Sequence, residues 1–102
     1  MFLIQLLLPL YDNSGIGFPH KNFETLRDEL AERFGGVTAF LRSPAQGLWK
    51  ASETAPVHDD IVIYEVMTES LERKWWESYR KKLEADFRQN LVIIRVNEIE
   101  LL

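Results

Sequence analysis

Two histidines and a few arginines carry most of the proton-transfer and anion-binding chemistry that these 102 residues can offer. His20 closes a stretch, residues 11–20, that also holds Asp12, Asn13, Ser14, Gly15, Gly17 and Pro19. His58 lies in residues 43–59 with Pro44, Gly47 and Pro56. Both stretches read as loops from their turn-forming residues. An imidazole changes charge near neutral pH, so either histidine is a candidate general base. Arg42, Lys21 and Lys50 supply fixed positive charge, and Trp49 an apolar wall. A guanidinium beside a free helix N-terminus makes a subsite for an anion or a carboxylate. Tyr11, His20, Arg42 and Trp49 are therefore candidate ligand-binding residues. The alternative makes them ordinary loop residues, with Trp49 folded back onto the core.

A second constellation is Gln5, Glu65 and Arg95, each set in an alternating apolar segment. Polar groups on a covered apolar face are costly unless paired. They either orient a small molecule in a cavity or form ion pairs that fix the register of two packed sheets. Other motifs carry less. Adjacent side chains of His58-Asp59-Asp60 point to opposite sides of an extended segment, so no metal site is expected. The absence of cysteine removes thiolate ligands, disulfides and cysteine nucleophiles together. Trp75-Trp76 with Tyr79 suggests a flavin or haem box, yet aromatic spacing of four on a helix is first of all core packing. Gly15-Ile16-Gly17 lacks the rest of a phosphate-binding fingerprint. No cofactor is expected.

The elements that must position these residues follow from periodicity. Residues 2–8 are apolar at both parities, as in a central strand covered on both faces. Neither a basic segment before this run nor a small-residue cleavage site after it marks a signal peptide. Asn22 is the expected N-cap of a helix whose stripe is Phe23, Leu26, Leu30 and Phe34, ended at Gly35-Gly36. Residues 37–42 alternate as a strand, and residues 60–67 form another β-branched run. Thr68 or Ser70 then caps a helix reaching about Gln89, with Leu71, Trp75, Tyr79 and Leu83 inward, widened by Trp76 and Phe87. Residues 91–101 supply the last strand.

The order β-α-β-β-α-β with right-handed crossovers predicts an α+β, ferredoxin-like domain spanning residues 1–102. Its four-stranded antiparallel sheet has the order 4-1-3-2, with both helices on one face. The other face then shows Leu3, Gln5, Leu7, Phe40, Ile61, Ile63, Met67 and Ile93. Such a patch is large for a monomer, so a homodimer stacked through the helix-free face is expected. A long loop folded beneath the sheet is the alternative. The loops after the first two strands emerge at one end, beside the first helix N-terminus, and that rim is where a ligand is expected.

Composition narrows the rest. Apolar residues make up 46% and charged residues 27%, which fits one globular core. The net charge of −4 comes from interspersed charges with no basic stripe, so nucleic-acid binding is not expected. No run is long enough for a membrane-spanning helix, and a cysteine-free chain suits the cytoplasm.

The whole chain resembles the dimeric α+β-barrel group of ferredoxin-like proteins. Gly36-Val37-Thr38-Ala39 followed by Gly47-Leu48-Trp49 is similar to a small bacterial domain family with a Gly-x-Thr then Gly-x-Trp pattern. The broad group includes cofactor-independent monooxygenases, haem-degrading enzymes, isomerases and plain ligand binders, but none of their catalytic residues matches here position by position. Two functions are therefore expected: a dimeric module binding a small, anionic molecule, or a cofactor-independent enzyme using His20 or His58 as base with Arg42 or Arg95 holding an anionic substrate.

Overall fold

The leucine-rich first segment takes the centre of the sheet because only a central strand can hide side chains on both faces. The computed structural model describes residues 1–42 and 60–102. Within them the order is β1 (Phe2–Pro9), α1 (His20–Phe34), β2 (Thr38–Arg42), β3 (Ile61–Thr68), α2 (Arg73–Asp86) and β4 (Ile93–Glu98). All three strand pairings are antiparallel and the sheet order is β2-β3-β1-β4. This is the expected ferredoxin-like arrangement, read from the opposite edge. No helix among the described residues is long and apolar enough to cross a membrane.

Alternation decides which face each strand residue serves. Ile4, Leu6 and Leu8 of β1 and Val62, Tyr64 and Val66 of β3 are buried. They form one cluster with Leu26 and Leu30 of α1 and with Trp76, Tyr79 and Leu83 of α2, continued by Phe87. Phe18, from the loop after β1, joins it edge-on to Phe87 at 5.2 Å between ring centroids.

Helix ends differ from the sequence reading, and each difference has a local cause. Pro19, not Asn22, occupies the cap of α1; its fixed φ, here −55°, suits the turn into a helix. The Asn22 amide instead donates to the Asp86 carbonyl at 3.3 Å, tying the start of α1 to the end of α2. Thr68 donates its hydroxyl to the Ser70 carbonyl at 2.8 Å, so a turn precedes α2, which starts only after Glu72. At the other end Arg88 takes φ of 50°, a left-handed conformation that stops the helix before Gln89. The residues of β4 likewise pair as a strand over a shorter span than residues 91–101.

The inward face of α2 is also rotated from the expected one. Trp76 is buried beside Tyr79 and Leu83, whereas Trp75 is half-buried at the margin. Trp75 stacks on Tyr79 with centroids 4.8 Å apart, while Phe34 stacks on Trp76 at 5.2 Å. The guanidinium of Arg33 lies 4.3 Å from the Trp75 ring and pairs with Glu72 at 2.7 Å. These aromatic residues join the two helices to the sheet, as core packing requires.

Removing core volume should be costly. Leu6 is fully buried at the middle of β1, so Leu6→Ala is expected to lower the unfolding free energy by about 2–5 kcal/mol, the range for buried leucine truncations. Urea denaturation followed by circular dichroism measures this, and a loss below ~1 kcal/mol would contradict the packing described.

Candidate functional site

Strand register brings Gln5, Glu65 and Arg95 into one line. Thr38 faces Glu65, Glu65 faces Gln5, and Gln5 faces Arg95, so four polar residues cross β2, β3, β1 and β4 in a single row. The Gln5 amide donates to Glu65 Oε2 at 2.6 Å. Arg95, on the edge strand, is exposed and has no ion-pair partner among the described residues. The next row in the same face is wholly apolar: Phe40, Ile63, Leu7 and Ile93. No described helix covers it. Ile63 is buried, but Phe40 and Ile93 at its two ends remain 47% and 48% exposed. The row is therefore a charged and amide stripe bounded by hydrocarbon, with its anion on β3 and its cation on β4.

The rim is assembled as the topology requires. Pro9 and Arg42 both face Ile61, so β1 and β2 end at the same edge of the sheet. The loop after β1 is tightly organised. Asp12 Oδ1 accepts the backbone N–H of Ser14 and of Ile16, each at 2.9 Å. Tyr11 bridges to Gly17 across this turn, and Asp12 Oδ2 meets Arg88 at 3.4 Å. His20 is the first residue of α1. Its side chain is 86% exposed and reaches Glu24 Oε1 at 3.4 Å, so it stands in solvent. Arg42 is the last residue of β2. Trp49, Lys50 and His58 lie outside the described residues, so the rim is built here from Tyr11, His20 and the end of β2.

A third polar group, unrecognised in the sequence, joins the helices. Glu29 Oε1 accepts the Tyr79 hydroxyl at 3.0 Å and meets Lys82 Nζ at 3.5 Å, while Lys82 also reaches Asp86 at 2.9 Å. Glu29, Lys82 and Asp86 edge a groove of about 240 Å³ between α1 and α2 whose floor is Leu26, Leu83 and Phe87. Burial, then the negative charge of Glu29, raises the Tyr79 phenol far above its ordinary value. The hydrogen bond to Asp86 raises Lys82. Burial also raises Tyr64. Every member is satisfied by another, so the network serves as a clamp between helices. Its only sequence signal is the i, i+4 spacing of Lys82 and Asp86.

No protein-family model and no curated protein matches the chain. Among solved structures, a phage SAM lyase in complex with S-methyl-5′-thioadenosine is similar over 95% of this chain and 80% of that one. The TM-score is 0.57 and the sequence identity 16%. The likeness is one of fold.

The clamp makes alkaline stability testable. Tyr79 and Lys82 hold their protons more tightly in the folded chain than in the unfolded one. Their contribution is complete below the unfolded values of 10.0 and 10.5 and is lost as pH rises through the higher folded ones. Unfolding free energy should therefore fall above pH 10.0. Tyr79→Phe should reduce that fall, leaving the part due to Lys82 and Tyr64. An unchanged alkaline slope in the variant would remove Tyr79 from the account.

Proposed function

We propose that the chain is a self-pairing module that binds a small molecule, two copies stacking their helix-free faces as in the dimeric α+β-barrel group. One observation carries the reading: the row Thr38–Glu65–Gln5–Arg95 runs beside the apolar row Phe40–Ile63–Leu7–Ile93. A two-fold axis parallel to the strands and over β1 sets β3 of one copy above β4 of the other. Glu65 then faces the partner's Arg95 twice, and Gln5 faces its own counterpart. The perpendicular axis through the same row would set like charges against each other. Aligned packing of this kind is one of the two common ways sheets meet. The pairing sets Ile93 against the partner's Ile63 and Leu7 against its own counterpart, and leaves the amide of Gln5 between two charge pairs, where it can orient a bound polar molecule. Its fold likeness to a lyase holding S-methyl-5′-thioadenosine supports a ligand-binding use of the scaffold by analogy alone.

Light scattering at micromolar concentration tests the pairing. The expected mass is twice the 12.0 kDa of the chain. Ile93→Asp, which sets a charge against the partner's apolar Ile63, should return the mass to one chain. Glu65→Arg should weaken the pair, and the double variant Glu65→Arg with Arg95→Glu should restore it. A monomeric native chain, or a double variant no better than the single, would refute the arrangement. A thermal-shift screen of small acids and neutral analogues then tests binding: an acid that stabilises the native chain should lose its effect in Arg95→Ala, while no hit among either class argues for a purely structural pair.

A further inference from the structure

Val96 departs from the rest of the helix-covered face. It belongs to the same side of β4 as Val92 and Ile94, yet cover thins along the strand: Val92 is buried, Ile94 half-buried and Val96 40% exposed. With Leu71, Trp76 and Ile94 it lines a groove of about 150 Å³ between α2 and β4. Two arginines stand on its lip, Arg73 and Arg80, seven residues and so roughly 10 Å apart along the helix axis. Arg73 has no ion-pair partner among the described residues. Among the described residues Arg80 reaches only Glu84 Oε2, at 3.8 Å, and that oxygen already accepts the Val92 N–H at 3.0 Å. Glu77 shares the lip but pairs with neither arginine. An apolar floor beneath two weakly engaged guanidiniums is complementary to a molecule with one hydrocarbon end and one anionic end. Its volume is below the roughly 300–1,000 Å³ of sites for larger ligands and matches a short chain.

We propose that this groove binds a short amphipathic carboxylic acid. The carboxylate takes the guanidinium of Arg80, Arg73 closes the far lip, and the hydrocarbon lies on Trp76, Ile94 and Val96. The groove belongs to the helix-covered face, so the site is independent of sheet-to-sheet pairing and stays open whether or not the chain pairs.

Nuclear magnetic resonance of the ¹⁵N-labelled chain tests the site, with hexanoate as the probe and hexanol and acetate as comparators. Hexanoate should give saturable shifts centred on the amides of Ile94, Val96 and Arg80, whereas hexanol and acetate, each lacking one half of the recognition, should bind more weakly. Arg80→Gln should weaken hexanoate roughly tenfold, the scale of one charge-assisted hydrogen bond, without altering the weak binding of hexanol. Lys74→Gln, away from the groove, should change nothing. Shifts that fail to saturate, shifts centred elsewhere, or equal affinity for hexanoate and hexanol would each overturn the proposal. None of these outcomes bears on the mass of the assembly, so failure here is distinct from failure of the sheet-face reading.

Discussion

Ile4, Leu6 and Leu8 have no exposed surface, and hiding them obliges both helices to lie on one side of the sheet. Each such side chain contributes roughly 1.5–3 kcal/mol on burial, so no arrangement that leaves this side open competes. The consequence falls on the other parity of the same strand. Leu3 and Leu7 point to the face that no described helix covers, Leu3 beside Met67 of β3 and Leu7 between Ile63 of β3 and Ile93 of β4. Once two helices are committed to one face, the chain has an apolar second face to account for.

The apolar run of β1 and the β-branched runs of β3 and β4, with the alternation of β2 and the two helical stripes, identify every described element, and right-handed crossovers then fix the strand order. Periodicity of 2.0 and 3.6 survives in these segments because each buries one face. Cap positions were less legible, because side chains named as caps found other partners: Asn22 reaches the Asp86 carbonyl and Thr68 the Ser70 carbonyl. The rotation of α2 was illegible for a related reason. Trp75 and Trp76 are equally apolar, and only the placement of Phe34 and Arg33 on α1 decides which one goes inward.

The candidate sites divide in the same way. The row of Gln5, Glu65 and Arg95 could be read from parity and strand order alone, since antiparallel register fixes which residues meet. The helix clamp and the groove beside Val96 could not, because they depend on how far each helix extends over the sheet. Periodicity says which face of a helix is buried but not where along its partner strand the cover stops. His20 shows the limit of reading chemistry from residue type. A histidine beside a helix start has the right chemistry for a base, yet the first residue of α1 projects into solvent against Glu24.

The edge strand gathers these threads. Its hydrocarbon is exposed on both faces, at Ile93 on one and Val96 on the other, while its outer edge has no strand partner among the described residues. Such an edge invites further strand addition. Here Arg95 and Glu98 interrupt the apolar residues, and charges on an edge disfavour uncontrolled pairing. They also divide its two exposed surfaces into different kinds of recognition. Arg95 ends the polar row at the edge of the helix-free face, beside the apolar row that ends at Ile93. Val96, one residue on, faces a narrow trench edged by arginines of α2. A single step along β4 therefore moves from the face proposed to meet a second copy to the groove proposed to take a short acid, because successive side chains of a strand serve opposite faces.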